Sequence, residues 1–354
     1  MKRLKIIAVI ILCLTLSACS APFEKVFYIF TADIVGEENL YENICTLIEE
    51  DKTEFTFKDV SEEVLADTWT SVIKDHPEYF WFSLGYKYTT ITQYGMEKIE
   101  LKPRVSTELL QYKEAVDEKV DSILDKANQK QSDYEKVLFI HDYIIDNTVY
   151  DTKTADLITA DKESNTIYNA STIYGCLVEK KAVCSGYAAA FHLLTKKLGF
   201  ESGRTRGEAD GELHEWNYIK LDNEYYFIDV TWDDPLVENS AENRKSYDYF
   251  LITQDELFET HKLEEGEKAP ECKGTKYNYY VYNGIYLQKY TYKDYRNIYK
   301  AKNQRSLTVK FANKTECDKA LRDLITKKRI FNIINVDSIN YFVGPNNKTL
   351  TIYY

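Results

Sequence analysis

The stretch "HEWNYIKLDNEYYFIDVTW", residues 214–232, limits what this chain can fold into more than any other. Two runs rich in aromatic and β-branched residues flank Asp222-Asn223, a pair suited to a tight two-residue turn, so the segment is predicted to be a β-hairpin. With that turn Leu221 faces Glu224, and counting back along both strands sets Trp216 opposite Asp229. Side chains alternate along a strand, so His214 shares the face of Trp216 and stands diagonal to Asp229, within about 7–8 Å and side-chain reach. A three-residue loop would put His214 and Asp229 on opposite faces. A carboxylate beside an imidazole can fix its tautomer and stabilise its charged form.

A nucleophile for such a pair lies upstream, in "AVCSGYAAAFHLLTKKLGF" (182–200). Cys184 directly precedes a small, helix-prone run that Gly199 is placed to end. Backbone N–H groups and the dipole at a helix start favour a thiolate. Ser185, Gly186 and Ala188 are small and leave room for a strand or substrate to approach. With "SGRTRGE" (202–208) as a third strand, one helix followed by an antiparallel sheet indicates an α+β domain. If that sheet meets the helix N-terminus, Cys184, His214 and Asp229 form a triad.

In that order, "VCSGYAAAF", "HEWNYIKL" and "YYFIDVTWDDP" resemble the three signature blocks of the transglutaminase-like superfamily. That fold is papain-related and carries its triad in the order Cys, His, Asp. "FIHDYIIDNTVYD" (139–151) resembles the helix and tyrosine segment that often precede them in bacterial members. The resemblance covers roughly residues 131–250 and implies a nucleophile helix packed on an antiparallel sheet. It implies Cys184 as nucleophile, His214 as general base and acid, and Asp229 as the orienting partner. Animal transglutaminases commonly carry Trp after the catalytic Cys, whereas Ser185-Gly186-Tyr187 follows here, as in the bacterial and peptidase-like branches. Their calcium loops have no visible counterpart. For the oxyanion, the Cys184 backbone N–H is the expected contributor, with Tyr174 and Trp216 as candidate oxyanion or substrate-lining side chains.

The first residues address the compartment. "MKRLK" followed by the 11-residue apolar "IIAVIILCLTL" has the build of a secretory signal and is too short for a comfortable membrane span. "LSAC" (16–19) resembles a bacterial lipobox, which implies cleavage before Cys19 and a membrane tether through its acyl chains. A formal net charge of −12 and the lack of a basic stripe argue against nucleic-acid binding. Beyond Cys19, cysteines 45, 176, 184, 272 and 317 remain, an odd number that leaves at least one thiol unpaired. No CxxC pair, no i, i+4 histidine pair and no EF-hand pattern occur, so no metal or other cofactor is expected.

The expected organisation is a signal peptide at 1–18, a mixed helical and β region at 20–130, a transglutaminase-like core at 131–265, a Tyr-rich connector at 266–304 and a small βαββ unit at 305–354. Within the first region, a helix from Ser61 to Lys74 leads to a hairpin over 79–101, and Ser106 caps one long helix striped by Leu109, Tyr112, Val116, Val120, Ile123 and Ala127. The core opens on a capping box, Ser132 and Glu135. His141 and His192 read as core histidines, Cys176 as a buried thiol, and Asp233 and Asp234 as strand terminators. Glu208, Asp210 and Glu212 read as a solvated acidic loop. The connector reads as exposed β structure or irregular chain. The functional expectation is an extracytoplasmic lipoprotein that acts on peptide or side-chain amides of protein or cell-wall peptides through a thioester. Hydrolysis would make it a peptidase or amidase, and amine transfer a transglutaminase. The alternative is a non-catalytic, lipid-anchored scaffold of the envelope.

Overall fold

The computed structural model describes residues 31–50, 52–93, 96–160, 166–234, 245–302, 304–344 and 346–354. The expected leader, Cys19 and Pro235 lie outside the described residues. Among those described, no helix is long and apolar enough to cross a membrane.

In the N-terminal part, β1 (Thr31–Val35), β2 (Glu54–Lys58), β3 (Phe82–Gln93) and β4 (Met96–Val105) form a sheet in the order β1-β2-β4-β3. The helix Glu62–Asp75 starts where the Ser61 hydroxyl accepts the Val64 N–H, and it buries Leu65, Trp69 and Val72. Ser106 caps as expected, but the single long helix is in fact two, Thr107–Leu110 and Lys113–Ala127. The break falls at Gln111–Tyr112, and the Tyr112 ring stacks on Tyr174 at 4.3 Å. Tertiary packing of one aromatic thus overrides a continuous helical stripe.

The central part places a helix over Asp133–Asn147, opened by the complete Ser132/Glu135 capping box. The two-residue strands β5 (Val149–Tyr150) and β6 (Lys181–Ala182) pair in parallel just before the helix Cys184–Lys197. Then come β7 (Ser202–Ala209), β8 (Glu212–Leu221), β9 (Glu224–Ile228) and, after a long excursion, β10 (His261–Leu263). The antiparallel order is β10-β7-β8-β9. Leu221 pairs with Glu224 and Asn217 with Ile228, the register expected from a two-residue Asp222-Asn223 turn, and Asp222 takes the required positive φ of 54°. The acidic 208–212 loop is tighter than expected: Ala209 already pairs with Glu212 across Asp210-Gly211.

Alternation divides this sheet cleanly. Ile219, Leu221, Tyr226 and Ile228 join the core around the Cys184–Lys197 helix, and Asn217 on the same face donates to the Ala188 carbonyl at 2.9 Å. Trp216 and Phe227 face the other way, under Tyr249, Ile252, Leu257 and Cys272. The chain runs along β9, with Phe227 bridged to Ile252, and then crosses to β7 at the far edge. The helix therefore backs the sheet, and the face of His214 and Trp216 is roofed by residues 249–263.

The C-terminal sheet comprises β11 (Tyr286–Leu287), β12 (Ser306–Phe311), β13 (Asn340–Val343) and β14 (Thr349–Tyr353), ordered β11-β12-β14-β13, with the helix Lys314–Leu321. The Tyr-rich segment is not an exposed connector. It forms helices Tyr279–Tyr282 and Tyr292–Lys302, and Tyr280, Tyr295 and Tyr299 are buried with Val309, Phe311 and Leu350. Tyr295 and Tyr299 are spaced i, i+4, so their rings share one helix face while the lysines keep the other in water.

Candidate active site

The Cys184 helix begins against a turn made by residues 169–172. The Val183 N–H donates to the Ala170 carbonyl at 2.9 Å, and a Cβ on Gly186 would come within 2.4 Å of that same oxygen. Gly186 thus makes room for backbone, not for a substrate or strand. Val183 provides no side-chain cap. The Gly186 N–H donates to the Val183 carbonyl at 2.9 Å, so the N–H groups of Cys184 and Ser185 are the ones suited to an anion such as a thiolate or a developing oxyanion.

Cys184 is partly exposed and its thiol lies beside the His214 imidazole. His214 Nε2 is 2.6 Å from Asp229 Oδ2, which leaves Nδ1 for the sulfur. Asp229 is wholly buried, yet no oxygen on it is idle. Its Oδ1 accepts the N–H groups of Thr231 and Trp232 at 3.0 and 3.1 Å, and its Oδ2 meets a second imidazole, His261 Nε2, at 3.0 Å. Burial alone would lower the His214 pKa, but the Asp229 charge, its hydrogen bond and the neighbouring thiol outweigh it and raise the value to about 10. Burial opposes ionisation of Asp229, and the two imidazoles overcome that and hold its pKa below the usual carboxylate range. A thiol beside a cationic imidazole is the arrangement that yields a thiolate nucleophile near neutral pH.

The other expected site residues fall as follows. Trp216 is buried, its ring nearly parallel to His214 with centroids 6.1 Å apart, so it is a wall of the site and not an exposed substrate contact. Tyr174 sits between Tyr112 and Phe80, with its hydroxyl directed to Tyr112 and Glu179. The tyrosine at the thiol is Tyr150, on β5 beside the strand that leads into Cys184. Burial and the charges of Cys184, Glu212 and Asp229 raise its pKa. Tyr150 ends the block "FIHDYIIDNTVY", which was the available signal for it.

His261 had no local signal. It pairs with Ala209 across β7, where Gly207 stands opposite His214. Small residues on β7 let imidazoles from its two neighbours meet above it. Two imidazoles and a carboxylate within 4.8 Å also have the composition of a metal site. Both nitrogens, however, converge on one oxygen at 2.6 and 3.0 Å. Ligand atoms on a tetrahedral metal with bonds of about 2.0–2.1 Å stand roughly 3.3 Å apart, so these are hydrogen bonds.

His141 and Asp233 form a separate buried pair at 3.2 Å, and Asp233 also accepts the Tyr249 N–H at 3.0 Å. β9 already closes at Ile228, so Asp233 does not end a strand; it sits in the following turn and ties the helix Asp133–Asn147 to the roof of the site. Asp234 accepts the Tyr187 hydroxyl at 2.8 Å. His192 bonds Ser202 at 3.0 Å, and burial, with Arg204 and Lys196 nearby, lowers its pKa to about 3.

Residues 121–230, which contain Cys184, His214 and Asp229, match the family model of the transglutaminase-like superfamily. Residues 121–230 therefore form a transglutaminase-like domain. The human kyphoscoliosis peptidase is 24% identical over 202 residues, which are 52% of this chain and 28% of that protein, so the chain spans just over a quarter of the relative's length. The crystal structure of a TGase aligns over 56% of each chain at 15% identity with a TM-score of 0.31. His261 lies outside the matched stretch.

Proposed function

We propose that this protein is a cysteine acyl-transfer enzyme acting on peptide or side-chain amides. The observation that carries the reading is the line Cys184, His214, Asp229, in which the buried carboxylate receives four hydrogen bonds and His214 is held cationic beside the thiol. The Cys184 thiolate adds to the amide carbonyl carbon, and the oxyanion is met by first-turn N–H groups of its helix. The carbonyl re-forms as the C–N bond breaks, and the amine leaves with the proton from His214 Nδ1. A thioester on Cys184 remains. Water or an amine then attacks it, His214 takes the incoming proton, and the thiolate departs. Water gives a peptidase or amidase, and an amine gives a transglutaminase. The leader and the "LSAC" junction favour action outside the cytoplasm, from a lipid tether at Cys19, on protein or cell-wall peptides.

The test is the pH dependence of iodoacetamide alkylation at Cys184, located by peptide mass spectrometry, paired with amide-cleavage and amine-incorporation assays. Wild type should alkylate well below pH 8 and His214→Ala should not. A Cys184 that titrates at about 8.5 in both proteins, or amide chemistry that survives Cys184→Ala, overturns the reading and leaves the scaffold alternative.

A further inference from the structure

The acceptor oxygen that orients His214 is itself held by a line of hydrogen bonds that starts in the C-terminal sheet. Asn346, in the turn between β13 and β14, places Nδ2 3.1 Å and Oδ1 3.2 Å from the Tyr249 hydroxyl. The Tyr249 hydroxyl is 3.3 Å from Thr260 Oγ1. Thr260 Oγ1 lies 2.8 Å from His261 Nδ1 and 3.3 Å from the Leu257 carbonyl, so its single proton favours the shorter partner, the ring nitrogen. A ring that accepts this hydrogen bond at an unprotonated Nδ1 carries its single proton on Nε2, directed at Asp229 Oδ2, 3.0 Å away. Run from donor to acceptor, Asn346, Tyr249, Thr260, His261 and Asp229 satisfy every link.

The surroundings bury the inner end of this line, Tyr249 and His261, while Thr260 and Asn346 are half-buried. The His261 ring is buried, with Trp232 at 4.6 Å, Trp216 at 5.0 Å and Tyr249 at 5.5 Å between centroids. Its other titratable neighbour is His214, at 5.6 Å. Asp229 Oδ2 is thus pinned from two sides: His214 is the member beside the thiol, and His261 has both ring nitrogens engaged, Nε2 with Asp229 and Nδ1 with Thr260.

We propose that His261 is a positioning residue of this site, a neutral donor that fixes the Asp229 carboxylate for His214, and that the line through Thr260, Tyr249 and Asn346 makes the C-terminal sheet part of the catalytic unit. The inference rests on the acyl-transfer reading. Without His261, Asp229 Oδ2 keeps a single anchor, the emptied space admits water, and the field that holds His214 cationic weakens.

The experiment is the pH profile of Cys184 alkylation in the full chain, with amide turnover measured alongside. In His261→Ala the alkylation midpoint should rise by about one pH unit, a rate loss near tenfold at pH values below the wild-type midpoint. His261→Gln, which keeps an N–H donor, should restore most of it. Thr260→Val leaves His261 in place and removes the hydroxyl that sets its tautomer, so it should shift the midpoint in the same direction by less. If His261→Ala does not fold, Thr260→Val and Asn346→Ala carry the test. A wild-type thiol that is activated, together with unmoved midpoints in these variants, overturns this inference alone. An unactivated wild-type thiol overturns the acyl-transfer reading beneath it.

Discussion

Replacing Asp229 with Asn tests the site most sharply, because the surrounding bonds dictate how the amide must sit. The N–H groups of Thr231 and Trp232 both point at Oδ1, so the amide oxygen occupies that position and its NH2 takes the place of Oδ2. That NH2 then faces Nε2 of His214, which must accept and so carries its proton on Nδ1, toward Cys184. An Nδ1 that is already protonated cannot take the thiol proton, and a buried imidazole without its carboxylate does not stay cationic. Cys184 reverts to an ordinary thiol. Without an imidazolium beside the sulfur, alkylation of Cys184 at pH 6 should fall on the order of 100-fold. Amide turnover should fall further, by about 10³–10⁴, since loss of the orienting carboxylate also removes the proton relay. The assay is iodoacetamide modification of Cys184 from pH 5 to 9. Asp229→Asn alkylating at pH 6 as fast as wild type would refute the argument that the carboxylate sets the tautomer.

Further predictions concern stability. The His214 pKa is raised to about 10 from 6.5, so the stability it contributes is fully present below pH 6.5 and is lost as pH rises through 10. Urea midpoints should therefore decline between those limits more in wild type than in Asp229→Asn, and parallel curves would count against the pairing. Gly186→Ala should destabilise by about 1–3 kcal/mol, because its Cβ meets the Ala170 oxygen at 2.4 Å and the Ala182 Cβ at 2.9 Å; a raised denaturation midpoint would contradict this. His141→Phe leaves Asp233 buried without its imidazole and should cost about 3–5 kcal/mol, while the alkylation midpoint of Cys184 stays put in the folded fraction. A shifted Cys184 midpoint would show that this pair reaches the triad.

The sequence by itself determined the features that close over short distances. Asp222-Asn223 set the register of β8 and β9, and with it the proximity of His214 and Asp229, because a two-residue turn admits one pairing and a side-chain period of two admits one face. Ser61, Ser106 and the Ser132/Glu135 box marked helix starts, since a cap bonds within its own turn. Only the tertiary structure decided what depends on elements that meet late. His261 reaches Asp229 because the chain crosses from one edge of the sheet to the other, Asp233 finds His141 ninety-two residues away, and Tyr150 rather than Tyr174 stands at the thiol because β5 pairs with β6. Tyr280, Tyr295 and Tyr299 turned from connector into core for the same reason: a ring with a polar tip reads alike in water and in a core until its neighbours are known. Local hydrogen bonds are fixed by spacing, whereas a buried polar group is fixed by whichever distant partner satisfies it.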